Sequence, residues 1–182
     1  MISKKYAPIV LLSTSLMAAI PAHADSSTTS KVGDVLAFAI PAAAYGSTYY
    51  MDDKEGRQQL YYSFATNVAT TQVLKSVIDK ERPNGRDEDS FPSGHTSMAF
   101  QGASFIHKRY GLEYSIPAYI GAGFVAYSRV EADEHDVADV VAGAALGIAS
   151  SMYLTKSYYD DQVHIATNLA PDYYGVSVHY NF

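Results

Sequence analysis

Apolar residues return every three or four positions along most of this chain, and every second position only near its end. The first pattern predicts five helices. One runs from about Val32 to Tyr50, with Pro41 expected to kink it. Asp52-Asp53-Lys54-Glu55-Gly56 breaks the pattern, and a second helix is predicted from about Arg57 to Asp79, with Leu60, Phe64, Val68, Val73, Leu74 and Val77 at mainly helical spacings. Pro83-Asn84-Gly85 ends it, and a loop continues to Gly94. The third helix runs from about His95 to Arg109 and stops near Gly111. The fourth runs from about Ile116 to Arg129, with Pro117 in its first turn, and the fifth from about Asp136 to Thr155.

The second pattern covers Val163, Ile165, Thr167 and Leu169, then Val176, Val178, Tyr180 and Phe182, with Ala170-Pro171-Asp172-Tyr173-Tyr174-Gly175 between them. It reads as a β-hairpin with one apolar face, a lid for an exposed helix face. A terminal aromatic after alternating residues also occurs in outer-membrane barrels, but one hairpin cannot close a barrel. The predicted fold class is therefore mainly α: a compact bundle of about five helices with a short C-terminal β-hairpin. The helical domain is expected over 32–156 and the hairpin extension over 157–182.

The N-terminus changes the picture of where the chain works. A basic start at Lys4-Lys5, an apolar stretch from Ala7 to Ile20 and a small-x-small site at Ala22-His23-Ala24 make residues 1–24 a secretory signal peptide, with an uncleaved anchor as the other reading. Residues 25–31, rich in serine and threonine, read as a disordered leader. The formal net charge of −6 becomes more negative once Lys4 and Lys5 are removed, which excludes non-specific nucleic-acid binding. The chain has no cysteine, so an exported product is held by packing alone, and the periplasm is the expected compartment. Segments 35–51, 114–128 and 140–155 lack charged side chains, yet they are short and rich in Ala, Gly, Ser and Tyr. With a mean hydropathy of −0.08 over the whole chain, this composition favours a soluble bundle, with membrane contact as the alternative.

Three pieces carry chemistry. Lys75 and Arg82-Pro83 lie seven apart, two turns on one face if the helix persists, and both could reach one phosphate; a solvated face is the plainer reading. In Pro92-Ser93-Gly94-His95, Gly94 allows close backbone approach and a helix start would aim N–H groups at an anion. Ser93 adds a hydroxyl, and His95 can give a proton to a leaving oxygen; a serine-glycine cap with an incidental histidine is equally compatible. Arg129 is followed by His135 and Asp139, which are i and i+4 and expected to share a helix face. The carboxylate would then accept Nδ1–H and leave Nε2 able to attack; a surface His–Asp pair is the bland alternative.

The ordered set Lys-x6-Arg-Pro, Pro-Ser-Gly-His and Ser-Arg-x5-His-x3-Asp over residues 75–139 resembles the type 2 phosphatidic acid phosphatase superfamily. That group includes membrane lipid phosphatases, soluble bacterial acid phosphatases and vanadium haloperoxidases. The resemblance implies His135 as nucleophile, Asp139 orienting it, and His95 protonating the leaving oxygen and then activating water. Lys75, Arg82, Arg129, Ser93 and the Gly94 amide would bind the phosphoryl oxygens. It implies hydrolysis of phosphate monoesters or pyrophosphates through a phosphohistidine, without metal or cofactor, on a phosphorylated small molecule or a lipid phosphate. Vanadate-dependent halide oxidation is a second enzyme class for the same cradle. A silent phosphate- or lipid-binding module is a third reading, although both histidines and Asp139 are present.

Overall fold

The computed structural model describes residues 26–159 and the backbone of 163–170 and 173–180. Five helices follow one another: α1 (Ser26–Tyr50), α2 (Lys54–Val77), α3 (Gly94–Tyr110), α4 (Leu112–Glu131) and α5 (Val137–Leu154). Strands β1 (Val163–Ala170) and β2 (Tyr173–Tyr180) pair antiparallel, with Val163 opposite Tyr180 and Ala170 opposite Tyr173. The lid role expected for this region concerns side chains outside the described residues, as does the signal peptide of residues 1–24.

α3 is the axis of the bundle and packs against each of the other four helices. Its inward face is built from small residues, so neighbours come close. Leu36, Ala37 and Ile40 of α1, Ala99 and Ala103 of α3, and Ala122 and Val125 of α4 form one core cluster. Ala44, Leu60, Phe105, Ile106 and Tyr110 form a second. Between α2, α3 and α5 the contacts are polar and paired: Ser97 donates to Asn67 (2.8 Å), Gln101 to Ser63 (3.0 Å), and Ser151 to the Gln101 carbonyl (2.8 Å). These bonds pin the helices in register, while Asn67 Nδ2 and Gln101 Oε1 are left buried without a partner among the described residues. On α5, Gly143 lets the backbone of α3 approach: a Cβ there would lie 2.4 Å from the Ser93 carbonyl oxygen. The start of α3 is thereby seated on α5.

Several local expectations are corrected. Residues 26–31 are not a disordered leader; they form the first turns of α1. Their composition offers little apolar surface, but Thr29 is buried and Ser30 accepts from Arg129 through its carbonyl (2.6 Å) and its hydroxyl (3.1 Å). A tertiary anchor overrides weak local preference. Pro117 falls inside α4 rather than in its first turn, because the helix already begins at Leu112. Pro41 lies inside α1, as expected. α2 stops at Val77, where Ile78 turns extended, so Arg82 is not on that helix.

Residues 78–93 instead form a strap that doubles back on itself. The Lys80 amide donates to the Glu88 carbonyl (2.9 Å), Arg82 to Asp87 (2.9 Å), and Ser90 to Lys80 (3.0 Å). The helices alternate in direction, so α1, α3 and α5 start at the end where α2 and α4 finish. That end carries the cavity described next.

Candidate active site

A cavity of about 270 Å³ opens at this end, lined by Phe38, Gln72, Lys75, Arg82, Gly94, His95, Met98, Arg129, Glu134 and His135. Six of the eight residues expected from the sequence therefore meet in one place. Four come from helix termini: Lys75 from the last turn of α2, Gly94 and His95 from the first turn of α3, and Arg129 from the last turns of α4; Arg82 comes from the strap and His135 from the segment before α5. Lys75 and Arg82 converge because the strap folds back, not because they share two helical turns. Burial and the Arg82 charge both push the Lys75 ammonium below its ordinary value. The strap offsets part of that repulsion, since Arg82 pairs with Asp87 (2.6 Å) and Glu134 (3.0 Å) and Lys75 donates to the Asp89 carbonyl.

The His135–Asp139 pair also differs from the expected helical i, i+4 arrangement. α5 begins at Val137 with Asp136 as its N-cap, so His135 precedes the helix. Asp139 completes a capping box by accepting the Asp136 amide (3.1 Å). Its other contacts come from the strap: Lys80 Nζ on Oδ1 at 2.6 Å, and Ser90 Oγ on Oδ2 at 2.5 Å. His135 Nδ1 stands 3.7 Å from Asp139 Oδ2, beyond hydrogen-bond reach, and makes no hydrogen bond of ordinary geometry. The ring is only 3% exposed. Burial first, then the Arg82 and Lys75 charges, push its pKa down to about 4, against the opposite pull of Asp139 and the Ser90 backbone. The imidazole is therefore neutral near pH 7, the state a nucleophile requires.

Ser93 stands apart from those six residues. It is fully buried, its hydroxyl donates to Thr96 Oγ1 (3.0 Å), and its amide donates to the Asp139 carbonyl (3.0 Å). It ties α3 to α5 and does not line the cavity. Gly94 does line it, and the nearest atom to a Cβ placed there is a Thr71 methyl at 4.0 Å. Arg129 is buried and held from α1, with Nη1 on Asp34 Oδ1 at 2.7 Å and Nη2 on Ser30. Gly33 allows this approach, since a Cβ would lie 2.0 Å from Ser128 Oγ.

Four participants were not found by sequence reasoning. Lys80 and Ser90 hold Asp139, Glu134 holds Arg82 (3.0 Å), and Asp34 holds Arg129. Asp34 alone had a signal: it is the single charged residue between Lys31 and Asp52. Lys80 and Glu134 sit in charge-rich stretches where nothing marks them.

Comparison with known proteins agrees with this arrangement. The family model of the PAP2 superfamily matches residues 58–162. Among curated proteins, the chain is 43% identical over 77 residues to a lipid A 1-phosphatase of Porphyromonas gingivalis, covering 41% of this chain and 17% of that protein. The chain thus spans under a fifth of the length of that relative. It is 25% identical over 158 residues to a lipid A 4'-phosphatase of Helicobacter pylori, covering 81% of this chain and 79% of that one. Among solved structures, Aquifex aeolicus LpxE superposes with a TM-score of 0.54 at 22% identity, covering 85% of this chain and 98% of that one. A transmembrane PAP2-type phosphatidylglycerolphosphate phosphatase from Bacillus subtilis gives 0.51 at 24% identity, covering 82% and 94%. The family match covers more than half of the chain and runs through all six of the expected residues gathered at the cavity, on a fold shared with both solved relatives: this chain belongs to the PAP2 superfamily.

Proposed function

We propose that the protein is a phosphatase that hydrolyses lipid phosphates, of the lipid A kind, through a phosphohistidine on His135, and that it works on the periplasmic side of a membrane. One observation carries the reading: a neutral buried histidine and a second histidine share a cavity with Lys75, Arg82 and Arg129. The cations bind the phosphoryl oxygens and offset the charge that spreads over them during transfer. The His135 ring attacks phosphorus, the ester oxygen leaves with a proton from His95, and water taken up by His95 cleaves the N–P bond. Asp139, clamped by Lys80 and Ser90, stabilises the positive charge that the attack places on His135.

The lipid substrate follows from where the cavity sits. Residues 35–51, 58–74, 114–128 and 140–155 contain no Asp, Glu, Lys or Arg, and 96–107 contain none in α3. The longest of these stretches is about 25 Å of helix at 1.5 Å per residue. Charges collect at the two ends, and the cavity opens at one of them. Val73, Ile116, Ile120 and Val141 are exposed on the uncharged band. α5 is long and apolar enough to cross a membrane, with a mean hydropathy of 1.6 over Val137–Leu154. A bundle of this design keeps its apolar band in acyl chains and its cavity at headgroup level. The names of the two lipid A phosphatase relatives point to the same substrate class.

The test compares phosphate release from a micellar lipid phosphate and from a soluble monoester, with detergent, for wild type and His135→Ala. The expected result is faster turnover of the lipid and a loss of roughly 10³-fold or more in the variant. Full activity in His135→Ala would rule out the phosphohistidine. Equal preference for both substrates would remove the lipid assignment.

A further inference from the structure

Both histidines at the cavity have a carboxylate beside them. For His135 it is Asp139, from the motif. For His95 it is Asp34, whose Oδ1 lies 3.4 Å from His95 Nε2. Asp34 belongs to the first turns of α1, outside the motif set and outside the family match. Its position is set from below. The same Oδ1 accepts Arg129 Nη1 at 2.7 Å, and Arg129 is itself buried and bonded to Ser30. One turn further on, Phe38 packs edge-on against the His95 ring, with centroids 6.0 Å apart and planes at 87°. α1 therefore presents a carboxylate and an aromatic wall to the same imidazole.

We propose that Asp34 is a positioning residue for His95, holding its ring in place and favouring the protonated form that gives its proton to the departing oxygen. This rests on the phosphohistidine reading. In the first step the His135 nitrogen forms a bond to phosphorus, the P–O ester bond breaks, and the ester oxygen takes its proton from His95, which becomes neutral. In the second, His95 takes a proton from water, the water oxygen bonds to phosphorus, the N–P bond breaks, and inorganic phosphate leaves with His95 charged again. The cavity otherwise opposes a charged His95: burial, Arg129 on α4 and Arg82 on the strap all lower its pKa, while Asp34 and Glu134 raise it. Asp34 is the carboxylate within ion-pair distance.

A proton donor matters in proportion to how poor the leaving group is. Nitrophenolate departs without one, whereas an alkoxide needs one. The experiment measures kcat/KM of full-length wild type and Asp34→Asn on p-nitrophenyl phosphate and on an alkyl phosphate. The expected result is a fall of about 10- to 100-fold for the alkyl phosphate and no more than about threefold for the nitrophenyl ester. The alkaline limb of the alkyl-phosphate pH profile should also move to lower pH, because His95 loses the carboxylate that favours its charge. An equal loss on both substrates would overturn the inference and leave Asp34 as a partner of Arg129 alone. If D34N does not fold, D34E carries the same comparison: a selective loss of alkyl-phosphate activity supports the inference, and an equal loss overturns it. Wild type inactive on both substrates would instead overturn the phosphatase reading, and this inference with it.

Discussion

The two ends of the bundle both bury charge, and they treat it in opposite ways. At the end away from the cavity, Asp53 accepts Arg109 Nε (2.7 Å) and Nη2 (2.8 Å), the Tyr110 hydroxyl (2.9 Å) and the Gly56 amide (2.8 Å). Arg109 also donates to the Lys156 carbonyl (3.1 Å). The two side chains are 3% and 2% exposed. This cluster joins the start of α2, the end of α3 and the segment after α5, and its carboxylate is held charged below the usual range despite burial. At the cavity end, cations face each other, a buried imidazole nitrogen lacks a hydrogen bond, and that ring is held neutral. The first cluster is saturated and structural. The second pairs Arg82 with Asp87 and Glu134 and Arg129 with Asp34 around an open cavity, yet leaves His135 Nδ1 without a hydrogen-bond partner among the described residues.

The sharpest break of this comparison exchanges the roles. Arg109→Met leaves the Asp53 carboxylate buried and unpaired, and is expected to cost about 3–5 kcal/mol of stability. Activity per folded molecule should be unchanged, checked by thermal melting beside an assay at low temperature. His135→Ala should do the reverse, abolishing activity with little change in melting temperature. A large destabilisation by His135→Ala would erase the distinction between the two ends.

A smaller effect is expected at Lys80, which belongs to both kinds of contact. Lys80→Met removes the cation from Asp139 Oδ1, freeing that carboxylate to favour a charged His135. A fall in kcat/KM of roughly tenfold is expected, with the acid limb of the pH profile moving upward. An unshifted limb would show that Lys80 only braces the strap.

The mildest test is the pH profile of wild type. His135 must be neutral to attack, and its pKa lies at about 4. As pH rises through that value the ring loses its proton, so kcat/KM for p-nitrophenyl phosphate, which does not depend on the His95 proton, should rise across pH 4. A rising limb near the ordinary histidine value of about 6.5 would mean that the cations do not act on His135 as described.

Much of this was legible from residue order. Helical periodicity located the five helices to within a few residues, apart from the earlier starts of α1 and α4. The motif spacing identified the cations and histidines that meet at the cavity. What was misread has a common cause. Lys75–Arg82 and His135–Asp139 invited a helical interpretation because seven and four are helical intervals. In both cases a chain reversal or a cap, not a shared face, makes the contact. Ser93 is buried at the start of α3 with its hydroxyl on Thr96, a placement that composition does not record.

The sequence by itself determined which side chains can handle a phosphate and in what order they occur, because period and spacing are properties of the chain alone. Tertiary structure decided which carboxylate serves which histidine. Asp34 reaches Arg129 across 95 positions, and Lys80 reaches Asp139 across 59. Such pairings depend on how close two helices pack and where a strap folds back. Those distances are set by small residues and buried hydrogen bonds, and no local pattern records them.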